Sequence, residues 1–158
     1  MEKLEIVIDT REQTPWHFDA CFASVSIGAL RIGDYALRGD LGFAVERKSL
    51  DDFLGTIGSG WTRFTHEIER AKAAGFVLPI IVEGRFEDCC FTFEPITDVP
   101  IPPQHNHPRI TPAFVVKRIG ELQHMGASVF FAENPSYAMA VAYSMLKERA
   151  RVLKGDSN

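Results

Sequence analysis

The sequence predicts an α/β fold with a central mixed sheet flanked by helices. Strand and helix patterns alternate through the second half of the chain, as they do in proteins with a partly parallel sheet. Residues 76–82 form an apolar run broken only by Pro79, which is typical of a strand covered on both faces. The 158 residues, of which 46% are hydrophobic and 24% charged, suit one globular core, so residues 1–158 are predicted to form a single domain.

The first half of the chain predicts mainly strands. Apolar and alternating runs indicate two short strands, followed by a hairpin around a Gly-Asp-Leu-Gly turn. Ser49 has the position of a helix N-cap, with Asp52 three residues later, and Gly75 has the position of a helix stop. The predicted elements are strands at 4–9 and 24–30, hairpin strands at 34–38 and 43–48, a short helix ending at 58–60, and a helix at 62–74.

The second half predicts helices that begin at a Thr-Pro and an Asn-Pro pair. Threonine and asparagine suit the N-cap, and proline suits the first helical position. The predicted elements are a strand at 76–82, a helix from Thr111 that ends before Gly126, a strand at 128–132 and a long helix from Asn134. Between them, residues 85–110 carry five prolines and are predicted to form a long Pro-rich loop insertion.

This loop contains residues of the types that bind metals. Cys89 and Cys90 are adjacent, and His105 and His107 are two positions apart. Neither spacing matches a standard structural zinc site, so an ordinary loop is favoured over a metal site.

Charge is unevenly distributed along the chain. The formal net charge is −4, which taken alone argues against a nucleic-acid-binding protein. However, residues 83–98 contain five acids and one base, and the rest of the chain is neutral, so a local basic face or a carboxylate metal site remains compatible with the sequence. Three cysteines, no signal-peptide pattern and no apolar run near the roughly 20 residues of a membrane span predict a cytoplasmic or nucleoid-associated protein, neither secreted nor bound to a membrane.

The hairpin brings charged side chains onto one face. Because side chains alternate along a strand, Glu46 and Lys48 are predicted to project to one side and Arg47 to the other. Folding about Asp40 places Asp34 opposite Glu46. One face then holds Asp34, Ala36, Ala44, Glu46 and Lys48, and the core face holds Tyr35, Leu37, Phe43 and Val45. Small alanines next to two carboxylates are predicted to leave room for a metal ion and a phosphate.

The charged face has a chemical interpretation. Two carboxylates on a rigid hairpin bind Mg²⁺ or Mn²⁺, which prefer oxygen ligands and keep several waters. Such an ion polarises a phosphodiester and lowers the pKa of a bound water, and a lysine orients that water or stabilises the transition state. An aspartate followed by Glu-x-Lys is the core of the restriction-endonuclease-like nuclease pattern, but on this motif alone a surface hairpin with a salt-bridge ladder stays an alternative.

Further motifs follow one another in order along the chain. They are Ile8-Asp9-Thr10-Arg11-Glu12, Gly33-Asp34, Glu46-Arg47-Lys48 with Asp52, the helix with Gly60, Arg63, Glu67 and Arg70, the strand end Val82-Glu83-Gly84, and the region from Thr111 onward. Together they resemble the XPF-type (xeroderma pigmentosum group F) structure-specific endonuclease family over nearly the whole chain. The resemblance implies a three-layer restriction-endonuclease-like fold. The sequence departs from the family pattern in an inserted Trp61-Thr62, and no helix-hairpin-helix domain is expected.

The resemblance implies a role for each matching residue. Asp34 and Glu46 are expected to hold Mg²⁺ or Mn²⁺. Lys48 is expected to be the catalytic lysine, and Asp9 to lie beside the metal. The residues expected to support the site or to contact DNA are Arg11, Glu12, Arg47, Asp52, Arg63, Glu67 and Arg70.

Two of these supporting roles have plainer alternatives. Arg47 and Asp52 are equally well explained as an ion pair that fixes the start of a helix. Arg63 and Glu67 share a helix face with Arg70 and, as a solvated ion pair, need no function.

The resemblance also implies an activity and partners. The activity is a metal-dependent endodeoxyribonuclease that hydrolyses phosphodiester bonds in branched or flapped DNA, in DNA repair and recombination. The partners are DNA with single/double-strand junctions, a second copy of the chain bound through the helices after Thr111 and Asn134, and a separate DNA-binding or helicase protein. A restriction-like nuclease or exonuclease of other specificity and a non-catalytic DNA-binding partner subunit are alternatives. A degenerate subunit lacks one of the central residues, whereas this chain retains Asp34, Glu46 and Lys48.

Overall fold

The computed structural model describes residues 3–90, 107 and 109–155. Six strands and five helices lie in this part of the chain. The strands are β1 (Leu4–Asp9), β2 (Ala23–Gly28), β3 (Tyr35–Leu37), β4 (Glu46–Ser49), β5 (Ile80–Glu83) and β6 (Val129–Phe131). The helices are α1 (Leu50–Ile57), α2 (Trp61–Ala73), α3 (Phe86–Cys90), α4 (Pro112–His124) and α5 (Pro135–Leu153). The predicted α/β class, with a mixed sheet flanked by helices, is confirmed.

The strands form two three-stranded parts. In the first part β1 lies between β2, which is parallel to it, and β3, which is antiparallel. In the second part β4, β5 and β6 are parallel and lie in that order. A single antiparallel pair, Tyr35 with Val45, joins β3 to the start of β4. The predicted central sheet therefore consists of a mixed half and a parallel half that meet at this pair.

The predicted hairpin is reduced to one backbone pair, because on the turn side the Ala44 amide donates to the Val77 carbonyl at 3.2 Å and on the other side a side chain takes the next position of the ladder. Tyr35 and Val45 exchange backbone hydrogen bonds of 3.1 and 2.8 Å. Beyond that pair, the backbone amide of Arg47 donates to the carboxylate of Asp34 at 2.8 Å. The predicted strands at 34–38 and 43–48 thus shrink to β3 and β4, while the register that sets Asp34 opposite Glu46 is kept.

Capping residues locate the helix starts correctly. The side chains of Ser49, Thr111 and Asn134 each accept a hydrogen bond from the amide three residues later, at 3.1, 3.2 and 2.9 Å. Gly75 and Gly126 take left-handed conformations, with φ of 79° and 94°, just after α2 and α4, and act as the predicted stops. The strands predicted at 24–30, 76–82 and 128–132 are present as β2, β5 and β6 with shifted ends.

Helices cover the sheet on both sides. Ile6 of β1 is fully buried with Leu146 of α5 in one hydrophobic cluster, which also contains Ile81 of β5. The neighbouring Ile80 and Val82 belong to a second cluster, formed with α1, α2 and α4. β5 is therefore covered on both faces, as its apolar run predicts.

The face predicted to be open beside the carboxylates is partly closed. Ala36 and Ala44 are buried and pack with Ala71 of α2 and with Leu78. Their small side chains therefore admit the helix, and the space predicted for a phosphate at these alanines is filled. Only the charged end of this face borders a cavity.

A salt bridge ties the turn between β3 and β4 to α5. Arg149 donates from Nε and Nη2 to the two oxygens of the buried Asp40 carboxylate, at 2.7 and 2.8 Å. The two residues are 109 positions apart in the chain. A Cβ at Gly42 would lie 2.7 Å from Arg149 Nη2, so glycine there leaves room for the guanidinium.

Much of the predicted loop insertion at 85–110 lies outside the described residues, including His105 and the side chain of Cys90. At its start lies α3, in which Cys89 is buried. Near its end His107 Nε2 lies 2.8 Å from the carboxylate of Asp51. Among the described helices, none has the length and apolarity to cross a membrane.

Candidate active site

The two carboxylates of the predicted charged face, Asp34 and Glu46, line a cavity of about 250 Å³, and Lys48 lines a neighbouring cavity. The first cavity lies between the ends of β3 and β4 and α2. Its charged side chains are Arg11, Arg31, Asp34, Glu46, Glu67 and Arg70. Three acids and three bases thus share one small space, which suits a ligand that carries both positive and negative groups, or two ligands of opposite charge.

Asp34 is held in place by its backbone as well as by its side chain. Gly33 precedes it in a left-handed conformation with φ of 72°, and a Cβ there would lie 2.8 Å from the Cβ of Ala44. The Asp34 carbonyl accepts from the Asp9 amide at 2.8 Å, and Asp34 Oδ2 accepts from the Arg47 amide at 2.8 Å. Burial and then the charge of Glu46 raise the pKa of Asp34 to about 7.

Glu46 and Lys48 project to the same side of β4, as strand alternation predicts. Lys48 Nζ lies 3.2 Å from Glu46 Oε1, and the two side chains are only 15% and 17% exposed. The ammonium also lies 4.8 Å from the centroid of the Phe64 ring. Burial raises the pKa of Glu46 although the charge of Lys48 opposes the shift. One lysine therefore does not fully compensate the two carboxylates.

Arg47 projects to the opposite side of β4 and is surrounded by acceptors. It donates from Nε to Glu83 at 2.7 Å, and from Nη1 to Glu12 at 2.9 Å and to the Thr14 carbonyl at 2.5 Å. Burial lowers the pKa of Arg47, but the hydrogen bonds to Glu83 and Glu12 outweigh it and raise that pKa. Arg47 thus pairs with carboxylates from two other strand ends, and not with Asp52 as the ion-pair alternative expected.

Asp9 orients Arg11, whose side chain lines the cavity. Its carboxylate is 1% exposed and accepts from the amide and Nε of Arg11, at 2.9 and 2.5 Å, and from the Leu30 amide at 2.7 Å. Burial raises the pKa of Asp9, but these hydrogen bonds outweigh burial and lower it. The hydrogen bond to Asp9 raises the pKa of Arg11, and the charges of Asp34 and Glu46 add to that shift. Arg11 is therefore oriented by Asp9 and close to both acids.

The α2 residues predicted from the sequence divide between two cavities. Glu67 and Arg70 line the cavity of Asp34, whereas Arg63 and Asp52 line a neighbouring cavity of about 560 Å³ that also contains Lys48. Arg63 Nε lies 3.9 Å from Glu67, and its side chain is 85% exposed. This geometry favours a solvated ion pair for Arg63 and Glu67.

Sequence reasoning missed two residues of this region. Arg31 lines the carboxylate cavity, and its position three residues before Asp34 was the available signal. Trp16 is 5% exposed and donates from Nε1 to Glu83 at 2.6 Å, so it belongs to the Arg47 side of β4. A tryptophan in a loop gave no periodic signal, and its partner is 67 positions away.

The donor set of the cavity fits a hard divalent cation. Asp34 and Glu46 offer carboxylate oxygens from facing strand positions, and burial together with the nearby charge of Glu46 raises the pKa of Asp34, an unfavourable state that a bound cation would relieve. Within the described residues no group of three or more His, Cys, Asp or Glu side chains converges as a metal site. An ion that keeps several waters, such as Mg²⁺ or Mn²⁺, suits two carboxylates, whereas a closed zinc site does not.

Comparison with known proteins bears on the family and the fold. A family model of the ERCC4 domain matches residues 8–145. No curated protein matches the chain in a sequence search. XPF from Aeropyrum pernix has a TM-score of 0.63 at 18% identity, over 96% of this chain and 67% of that chain. A structure of XPF from Aeropyrum pernix in complex with DNA has a TM-score of 0.68 at 20% identity, over 94% and 66% of the two chains. These likenesses confirm the predicted restriction-endonuclease-like fold.

Proposed function

The chain belongs to the ERCC4 domain family, and on that premise we propose that it is a metal-dependent endonuclease that hydrolyses phosphodiester bonds in branched or flapped DNA. Family membership supports a DNA endonuclease. The dependence on a metal ion and the preference for branched DNA are inferred in addition. The observation that carries it is the convergence of Asp34 and Glu46 at one cavity, with Lys48 Nζ 3.2 Å from Glu46.

Mg²⁺ or Mn²⁺ is the cofactor that we infer for Asp34 and Glu46. When bound, such an ion polarises the phosphodiester and lowers the pKa of a water nucleophile. Lys48 is held by Glu46 on one side and by the Phe64 ring on the other, so its ammonium is preorganised. It is therefore suited to orient the attacking water or to stabilise the negative charge that develops on the phosphate.

The arginines of the cavity supply the positive charge that a DNA phosphate needs. Arg11, Arg31 and Arg70 line the same space as the two carboxylates. Arginine binds phosphate through paired N–H donors, which positions the backbone without reading the base sequence. A protein with a net charge of −4 is thereby able to bind DNA at a local basic wall.

A second copy of the chain is the partner that we infer from the helices. Large apolar side chains lie on α4 and α5 with more than half of their surface exposed, namely Val116, Tyr137, Val152 and Leu153. Other residues of the same helices, such as Val115 and Ala142, are buried. Light scattering is expected to give twice the chain mass of 17.7 kDa, and a mass of one chain at every concentration would contradict the dimer.

Cleavage of defined DNA tests the proposed activity. Purified protein is incubated with flap, fork, nicked and linear duplexes in Mg²⁺, Mn²⁺ or excess EDTA. We expect cleavage only with a divalent ion and preferentially at the branched substrates. A covalently closed circle that contains an unpaired bubble separates endonucleases from exonucleases, because it has strand junctions but no ends.

Asp34→Asn is the variant that tests the metal site, because it keeps the size of the side chain and removes its charge. We expect this variant to lose metal binding by calorimetry and to lose cleavage, since an amide offers one neutral oxygen where a carboxylate offers charge. Undiminished cleavage in EDTA, or by Asp34→Asn, would contradict the metal-dependent mechanism. Equal cleavage of linear and branched DNA would contradict only the substrate part.

A further inference from the structure

Trp16 contacts Arg47 and two of the side chains that surround it, Glu83 and Tyr35. Its indole Nε1 donates to Glu83 Oε1 at 2.6 Å, and the same oxygen accepts from Arg47 Nε at 2.7 Å. Its ring stacks on Tyr35 with a centroid distance of 4.4 Å and an interplanar angle of 20°. The Arg47 guanidinium lies 5.0 Å from the centroid of the indole. Trp16 therefore fixes both the carboxylate and the aromatic ring that hold this arginine.

Arg47 connects this cluster to the carboxylate cavity through its backbone. Its amide donates to Asp34 Oδ2, and its chain neighbours Glu46 and Lys48 project to the opposite face of the strand. A rotation of β4 about its axis would move both neighbours. Because β4 has only four residues, a side chain anchored deep on one face has a large influence on the direction of the other face.

We propose that Trp16 is a positioning residue of the candidate active site and acts through Arg47. The indole fixes the guanidinium on one face of β4 and thereby orients Glu46 and Lys48 on the other. The inference rests on the proposed function, since it assigns Trp16 to the same cavity. Misplacement of a reacting group by about 1 Å costs on the order of 10²-fold in rate, so loosening this anchor has a measurable effect on turnover.

The chain contains its own control for a tryptophan substitution. It has two tryptophans, and each lies against an arginine. The Arg118 guanidinium is 4.0 Å from the centroid of Trp61, and Arg118 donates to the Ile57 carbonyl at 3.1 Å, which links α2, α1 and α4. Trp61 lines neither of the two cavities described above. Trp61→Phe therefore makes the same substitution beside another arginine, at a residue that lines neither cavity.

The test compares Trp16→Phe with Trp61→Phe at a temperature where circular dichroism shows both to be fully folded. Phenylalanine keeps the stacking on Tyr35 and removes the hydrogen bond to Glu83. We expect Trp16→Phe to lower kcat about 10-fold and to weaken Mn²⁺ binding severalfold, with KM for DNA within about 2-fold of wild type. Trp61→Phe is expected to leave kcat and Mn²⁺ affinity within about 2-fold of wild type.

Glu83→Gln provides a second measurement, because glutamine still accepts from the indole but no longer pairs with the charge of Arg47. We expect the same selective loss of kcat, and less than additive loss in the double variant with Trp16→Phe. Wild-type kcat in Trp16→Phe, or an equal loss in Trp61→Phe, would overturn the positioning role and leave the proposed function intact. A wild-type protein that neither cleaves DNA nor binds Mn²⁺ would overturn the proposed function, and this inference with it.

Discussion

Arg47 on one face of β4 and Glu46 with Lys48 on the other are neighbours in sequence but differ in how far the protein itself satisfies their polar groups. Arg47 has two carboxylates, a carbonyl and an aromatic ring around it. On the other face, one lysine lies beside Glu46, and Asp34 is left with a pKa near 7. Each nitrogen of the Arg47 guanidinium donates to an acceptor within the protein, whereas Asp34 and Glu46 are two buried carboxylates close together whose pKa values are raised.

The difference separates charged groups that stabilise the fold from charged groups that are available to a ligand. A buried ion network that is fully hydrogen-bonded can hold a fold together, but it has nothing left to offer a ligand. A site in which like charges are kept close together costs stability, and it recovers that cost only when a cation binds. The following experiments test whether the two faces of β4 differ in this way, from the largest expected effect to the smallest.

Arg47→Met is expected to lower the free energy of unfolding by about 3–5 kcal/mol, because it leaves Glu12 and Glu83 buried without their partner. Urea denaturation monitored by circular dichroism measures the loss. Arg38→Met is the control, since Arg38 pairs with Glu5 on an exposed surface where both side chains are about 60% exposed, and it is expected to change stability by less than about 1 kcal/mol. Equal effects of the two substitutions would remove the structural distinction of the Arg47 face.

Lys48→Ala is expected to lower the cleavage rate about 10²- to 10³-fold while Mn²⁺ still binds, because it removes one preorganised charge and leaves both carboxylates in place. Single-turnover cleavage and calorimetric titration of the same preparation measure the two quantities. Lys72→Ala, on the exposed last turn of α2, serves as the control and is expected to cleave at the wild-type rate. Wild-type turnover by Lys48→Ala would show that the lysine has no catalytic role.

The pH dependence of stability is expected to reveal the cost of keeping the Asp34 carboxylate buried beside Glu46. Asp34 has a folded-state pKa near 7, above its ordinary value of 3.8, so between these values the folded protein binds the proton more tightly than the unfolded chain. The metal-free protein is therefore expected to lose about 2–3 kcal/mol of stability as the pH rises from 5 to 7.

Thermal and urea unfolding in EDTA, repeated with Asp34→Asn, measures this slope. The variant is expected to show a flatter profile because asparagine does not titrate, and any remaining slope reports Glu46, whose pKa is also raised. Added Mn²⁺ is expected to stabilise the wild type more at pH 8 than at pH 6, since it competes with the proton. A wild-type profile that rises from pH 5 to 7 would contradict the shift at Asp34.

Arg63→Ala is expected to change the free energy of unfolding by less than about 0.5 kcal/mol, because its pair with Glu67 is exposed. Lys117→Ala is a matched control, since Lys117 forms an exposed pair of the same spacing with Glu121 on α4. DNA binding distinguishes the two roles left open for Arg63. If Arg63 contacts a phosphate, Arg63→Ala weakens DNA binding and reduces the salt dependence of the DNA affinity by about one counterion. Lys117→Ala is expected to change neither quantity.

Local signals in the sequence were sufficient for much of the fold. The caps at Ser49, Thr111 and Asn134 act through hydrogen bonds to the amide three residues later, so the sequence nearby contains the whole interaction. The alternation that separates Glu46 from Arg47 is equally local. For these features, the residues that interact are close together in the chain.

The features that were missed depend on residues that are distant in sequence. Ala36 and Ala44, beside the carboxylates, were predicted to face open space. No residue near them in the chain indicates that α2 packs against them. The sequence suggested Asp52, five positions away, as the ion-pair partner of Arg47. Its partners in the structure, Glu12 and Glu83, are 35 and 36 positions away. Only the three-dimensional arrangement identifies such partners.

The cover that α5 forms over β1 and β3 also has a consequence for how the protein is made. A ribosome releases the N-terminal strands first, at about 5–20 residues per second. Asp40 is synthesised 109 residues before its partner Arg149. The interval between the synthesis of the two residues is therefore roughly 5–20 s. During this time α5 is not yet there to cover the apolar face of the first sheet, and that face is exposed to aggregation. The cover over this sheet can therefore form only after residues 135–153 have been synthesised.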